Sequence, residues 1–329
     1  MRRFSRRRFL TVMAATTAAG LSGIARAAQP RAAQPATHYW EGEALGADAT
    51  ITLAGLSSRE AENLFAAALA EIVRLEKLFS LYDPSSALSR LKATGTLLDP
   101  SPEFLDLMQI SQRLSALSNG AFDPTIQPLW LLYAENYGDV LAPRAPTPEE
   151  VAAKRAVVGF AQVEITPSRV TLKPGMAMTL NGVAQGYITD RVTDILRAGG
   201  VAHALVNLGE HRAIGTHPEG RPWQIGIQHP GQADDIVALE DLFDNALSTS
   251  GGYGGRFGNS SLSHLINARD GKSADLYQSL SVVHPNATMA DGLSSAFSFM
   301  AEEAIAAQLR NLPGTRVVLV RADGGLVRL

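Results

Sequence analysis

"GYITDRVTDILRAGGVAHALVNLG" (residues 186–209) is the stretch whose reading decides the fold class. Its first half repeats apolar residues at helical spacing and stops at Gly199-Gly200, residue types that tolerate the left-handed turn of a helix end. Its second half, "VAHALVNLG", is an apolar run of strand length. A helix therefore passes directly into a buried strand, but the chain on either side does not repeat that alternation. Upstream, "QVEITPSRVTL" (162–172) reads as a hairpin. Downstream, strand candidates follow at Trp223–Gln228, Ile236–Leu239, Ala246–Ser248, Ser263–Ile266 and Ser279–His284. A helix from Met289 comes next, then strands at Arg316–Val320 and Gly325–Val327. The N-terminal half opens with strand-like His38–Leu45 and Ala49–Ala54. The long helix "SSREAENLFAAALAEIVRLEKLFS" (57–80) follows, with Ser57 and Glu60 spaced as a capping box. "DPSSALSRL" (83–91) and "SPEFLDLMQISQRLSALS" (101–118) read as further capped helices, and "LAPRAPTPEE" (141–150) as a Pro-rich joint. This irregular interleaving predicts an α+β (mixed α/β) fold rather than a doubly wound parallel sheet, built as one compact domain with lobes.

The bulk numbers agree with a globular enzyme-sized chain. Its 329 residues are 46% hydrophobic and 19% charged, enough apolar material for a substantial core. There are no cysteines, which excludes disulfides, zinc–thiolate sites, iron–sulfur clusters and a cysteine nucleophile. Residues 1–27 have a basic head, a short weakly apolar stretch and Ala25-Arg26-Ala27 as a cleavage site, the pattern of an export leader. "SRRRFL" (Ser5–Leu10) fits the twin-arginine motif, and residues 28–36 read as a linker ahead of a domain spanning 37–329. The expectation is a periplasmic protein, soluble after cleavage. The leader holds six arginines and no acid, so its loss takes the net charge from −3 to −9. So acidic a protein is a poor nucleic-acid binder.

Several residues stand out for chemistry. In "TMADGLSSAF" (288–297) Asp291 and Ser295 lie four apart, on one helix face. A carboxylate and a hydroxyl there suit Mg²⁺, although Asp291 also reads as an ordinary residue of a helix start. "LNGVAQGYITD" (180–190) brackets Val-Ala-Gln with glycines, so its backbone can approach a phosphate or metal, or simply make a tight turn. His264, in the alternating stretch before "NARDG", is placed to act as a general base or as a structural histidine. Tyr82, with Ser80 beside it, offers a ring for stacking or packing. Asp123 in "GAFDPT" is an anchor or an N-cap.

Taken in order, "FSLYDPSSALSRL", "GAFDPTIQPLW", "LNGVAQGYITDRVTDIL", "HALVNLGEHRAIG", "WQIGIQHP", "LSTSGGYGGRF", "SHLINARDG" and "MADGLSSAF" resemble the ApbE-type FAD:protein FMN transferases from about Thr37 to Leu329. The wording further resembles the branch associated with nitrous-oxide-reductase maturation. The resemblance implies Mg²⁺-dependent cleavage of FAD at its pyrophosphate. FMN is attached to a Thr or Ser hydroxyl of an acceptor flavoprotein with an FMN-binding domain, and AMP leaves. It implies Asp291, Ser295 and the Ala184 carbonyl as metal ligands and His264 as the base. It places Ser80, Tyr82, Asp123, Asn181, Ser250 and Gly251 around FAD. Departures from the family wording fall at Ser295 (usually Thr), Gln185 (usually Lys), Asn181 and Asn267 (usually Asp) and Gly252 (usually an acid). Those at the turn and at "NARDG" motivate one alternative, a non-catalytic FAD-binding assembly factor; a second is an FAD pyrophosphate hydrolase, with water replacing the acceptor hydroxyl. A monomer or weak dimer is expected.

Overall fold

The computed structural model describes residues 35–138, 143–258, 260 and 262–329. The leader at 1–27 and linker residues 28–34 lie outside the described residues. The chain opens with β1 (Thr37–Ala44), β2 (Ala47–Ala54), α1 (Ser58–Phe79), α2 (Ala87–Thr94), β3 (Thr96–Leu98), α3 (Pro102–Leu117), α4 (Gln127–Tyr137) and α5 (Pro148–Arg155). It continues through β4 (Glu164–Thr166), β5 (Arg169–Thr171), α6 (Ala184–Ala198), β6 (His203–Asn207), β7 (His211–Ile214), β8 (Trp223–His229), β9 (Gln232–Leu242) and β10 (Ala246–Gly251). It ends with β11 (Tyr277–His284), α7 (Ala287–Phe297), α8 (Glu302–Leu309), β12 (Arg316–Arg321) and β13 (Leu326–Arg328).

One eight-stranded sheet in the order β1-β2-β6-β7-β10-β11-β12-β13 organises the molecule. Its neighbouring strands all run antiparallel, which puts the fold in the α+β class expected. Period-two alternation assigns the two faces. Ile51, Leu53, Ala204, Val206, Leu280, Val282, Val317 and Leu319 point to the main core, which α1, α3, α6 and α7 cover. Ala213, Leu247, Val283 and Val318 point to the opposite face, under the β8–β9 hairpin. Glu240 fastens that hairpin, pairing with Arg316 of β12 and Arg328 of β13.

Three elements differ from expectation. Ser263–Ile266 is no strand: single bridges join Arg256 to Ser263 and Ile266 to Ser273, and the segment is otherwise loop. Among the described residues its alternation has no neighbouring strand to pair with. The Pro-rich joint ends in α5, because Pro148 at a first helical position costs no hydrogen bond and Thr147 with Glu150 completes a capping box. α7 begins at Ala287, with the Asn286 side chain capping the Met289 amide. Asp291 therefore lies beyond the first turn of α7.

Candidate active site

The site grows from the place where α6 and α7 meet. Gly186 allows the approach: a Cβ there would lie 2.3 Å from the Ala287 carbonyl oxygen and 2.8 Å from the Asp291 Cβ. Each helix then caps the other. The first turn of α6 has no side-chain cap of its own, and the Gly186 amide donates to Asp291 Oδ2 at 3.1 Å. In return Asp190, one turn along α6, accepts the Ala287 amide (2.9 Å), the Thr288 amide (2.8 Å) and the Thr288 hydroxyl (2.6 Å) at the start of α7. Both carboxylates are buried, and each sits against orphan amides that carry a partial positive charge. Asp291, a carboxylate set among apolar residues of α7, thus faces the N-terminus of α6.

One turn further along α7 lies a hydroxyl cluster. Ser250 Oγ is 2.7 Å from Ser294 Oγ and 3.2 Å from Ser295 Oγ, and Ser248 Oγ is 3.2 Å from Ser294 Oγ. The glycine-bracketed turn closes on this cluster, since a Cβ at Gly182 would sit 3.4 Å from Ser295 Oγ and 3.2 Å from the Phe122 ring. The contacts therefore gather Asp291, Ser295, Ser250 and the turn carrying Asn181 and Ala184. Ala184 is the first residue of α6, and Gly251 directly follows Ser250 at the end of β10. The Asn181 amide donates to Thr179 Oγ1 at 3.2 Å. Gln185 packs on the backbone of Gly209, where φ is +103° and a Cβ would meet its amide at 2.5 Å.

His264 hangs beside the glycine-rich loop that follows β10. Its Nδ1 lies 3.0 Å from the Gly255 carbonyl, and its own amide donates to the same oxygen at 2.9 Å. A carbonyl only accepts, so Nδ1 carries the proton and Nε2 is the basic nitrogen. The segment is tied down on its far side: the Ala268 amide donates to the Ala121 carbonyl (3.1 Å), and Tyr133 Oη donates to the Gly271 carbonyl (2.7 Å). Asn267 preserves the turn without a carboxylate, its Oδ1 accepting the Arg269 amide at 2.9 Å. At Gly252 a Cβ would stand 3.1 Å from the Ser263 Cβ, so a larger residue there would press on the histidine segment.

The remaining predicted residues are placed differently. The Asp123 carboxylate turns into its own loop, accepting the Thr125 amide (2.8 Å), the Thr125 hydroxyl (2.6 Å) and the Phe160 amide (2.7 Å). Burial pushes its acidity down, raising its pKa above the usual carboxylate range against the pull of those bonds. Ser80 caps the end of α1 and accepts the amides of Tyr82 and Asp83, both at 3.1 Å. Tyr82 is 80% exposed. Its loop is anchored near the helix crossing through Phe79, whose ring meets Tyr187 of α6 edge-on at 5.7 Å. Sequence reasoning missed Asp190 and its partner Arg212, Nη1 of which lies 2.6 Å from Asp190 Oδ1. The available signal was a spacing: Asp190 follows Gly186 by four residues, as Asp291 follows Ala287.

Comparison with known proteins covers the region that holds these blocks. The model of the ApbE family matches residues 45–319. The FAD:protein FMN transferase of Vibrio cholerae serotype O1 is 30% identical over 260 residues, covering 75% of this chain and 76% of that protein. The FAD:protein FMN transferase of Klebsiella pneumoniae is 27% identical over 317 residues, covering 92% and 90%. The crystal structure of the apo flavinyl transferase ApbE from Pseudomonas stutzeri superposes with a TM-score of 0.77 at 28% identity, over 91% of this chain and 96% of that one. With a match extending from the turn after β1 into β12 and relatives covered over most of their length, this chain belongs to the ApbE family.

Proposed function

We propose that this protein is an FAD:protein FMN transferase, moving the FMN part of FAD to a Thr or Ser hydroxyl of an acceptor flavoprotein with release of AMP. The observation that carries this reading is the crossing of α6 and α7. Two helix N-termini converge there, each capped by a buried carboxylate from the other helix, and the hydroxyls of Ser250, Ser294 and Ser295 lie one turn further along α7, so oxygen donors gather at the crossing. The donor set fits Mg²⁺: one carboxylate with neutral oxygens is the protein share of a site whose other ligands are substrate phosphates and water. Asp291, Ser295 and the Ala184 carbonyl would hold the ion, which when bound supplies charge neutralisation at the pyrophosphate.

The chain's own residues do the rest. The Gly255 carbonyl fixes the His264 ring, so Nε2 takes the proton of the acceptor hydroxyl as its oxygen bonds to the FMN-side phosphorus. The bond from that phosphorus to the bridging oxygen breaks, and AMP departs with that oxygen. The exposed ring of Tyr82 is available to stack on the isoalloxazine. The twin-arginine leader supports placing this chemistry in the periplasm. The wording of the motif blocks supports an acceptor that serves nitrous-oxide reductase.

The test is AMP release from FAD, followed by chromatography with and without a chelator. AMP formed only with Mg²⁺ and an acceptor domain supports the transferase. AMP formed equally without acceptor supports a hydrolase instead, and FAD bound with no AMP supports an assembly factor.

A further inference from the structure

We propose that Asp190, held by Arg212, is a positioning residue that sets the Asp291 carboxylate for metal binding. The inference rests on the reading of Asp291 as a metal ligand. The Asp190 carboxylate is buried on α6 and spends both oxygens on the first turn of α7. Arg212 grips it from β7, with a side chain only 8% exposed, and also donates to the Pro285 carbonyl at 2.7 Å, just before the cap of α7. Strand β7, helix α6 and the entry to α7 are thereby locked through one ion pair.

The geometry makes this lock act on Asp291. Ala287 and Asp291 are one helical turn apart, so fixing the amides at 287 and 288 fixes the height at which Asp291 meets Gly186. Without the lock, α7 keeps its Asn286 cap but loses its register against α6. The approach at Gly186 tolerates little sliding, since the Ala287 carbonyl already fills the space a Cβ would take. A carboxylate that must reach both an amide and a metal is sensitive to such shifts, because misplacement of a ligand by about 1 Å is enough to weaken a site. Asp190 touches neither FAD nor metal in this scheme.

The experiment measures hydrogen exchange at the Gly186 amide and the Mg²⁺ concentration giving half-maximal FMN transfer. Asp190→Asn should lower Gly186 protection and raise the half-saturating Mg²⁺ by about tenfold or more, while FAD binding without metal is unchanged. Thr288→Val, which removes one donor to Asp190 and keeps the side-chain shape, should move both in the same direction by less and covers the case in which Asp190→Asn does not fold. Ile51→Val, a truncation in the fully buried part of β2, controls for lost stability and should move neither. Unchanged Gly186 protection in both helix variants, or an equal change in Ile51→Val, overturns the proposal. If Gly186 loses protection but the wild type shows no Mg²⁺ dependence, the lock stands as a helix register device, while the metal role of Asp291 and the positioning claim built on it fall.

Discussion

Asp291 Oδ2 accepts the Gly186 amide at 3.1 Å across 105 residues of sequence, so the candidate metal ligand is also the cap of the neighbouring helix. The two roles separate by substitution. Asp291→Ala leaves a buried amide unpaired and should cost about 1–3 kcal/mol of stability. Asp291→Asn keeps an acceptor oxygen and should cost less than about 1 kcal/mol. Both remove the charge and should reduce FMN transfer by about 100-fold or more. Urea unfolding beside a transfer assay reads the difference; full activity in Asp291→Asn would contradict the metal role.

Gly186→Ala should destabilise the protein although alanine is the better helix former by about 1 kcal/mol. The added methyl would fall 2.3 Å from the Ala287 carbonyl oxygen, and backbone cannot step aside as a flexible side chain does. A net loss of about 1–3 kcal/mol is expected by urea unfolding. A gain in stability would show that the helices cross elsewhere.

His264→Ala should lower transfer by about 10²–10⁴-fold while FAD affinity is unchanged. Gly255→Ala should imitate it in part, because a Cβ at 255 would stand 2.9 Å from His264 Nδ1 and push the ring off its carbonyl. Equilibrium dialysis with FAD and single-turnover transfer separate binding from chemistry. Normal turnover in His264→Ala would assign the base elsewhere.

Stability should fall as the pH drops from about 6.5 toward about 4, through His211. Burial depresses the pKa of this histidine to about 4, and its Nε2 has no hydrogen-bond partner among the described residues. The unfolded chain takes up the proton near pH 6.5 and the folded one does not, so the stabilisation is complete above the unfolded value and lost below it. The loss between pH 7 and pH 5 should be about 2 kcal/mol for this group. His217 and His284, also depressed chiefly by burial, act in the same direction, so His211→Leu is the comparison: its curve should be flatter. Parallel curves for the two proteins would rule His211 out.

What the sequence showed and what it hid follow from range. The Asp291–Ser295 spacing is local, and the helix that displays it formed as periodicity predicts. The partner of Asp291 is a backbone amide on another helix, which no periodicity in either segment announces. His264 was legible as a candidate, but its strand was not real. Two-residue alternation needs a neighbour to pair with, and here isolated bridges, the Gly255 carbonyl and single bonds such as the Ser263 amide to Ser273 Oγ hold the segment. At 141–150 the prolines read as a joint, whereas Pro148 follows a capping threonine and starts α5. The carboxylate of Asp123 is the opposite case: its local capping role was visible in "DPT", and the structure spends both oxygens on its own surroundings.

The most direct measurement is the intact mass of an acceptor domain after incubation with this protein, FAD and Mg²⁺. The account predicts a gain of one FMN phosphoester on a single Thr or Ser, absent with chelator and in His264→Ala. An acceptor of unchanged mass, with FAD intact, would contradict it.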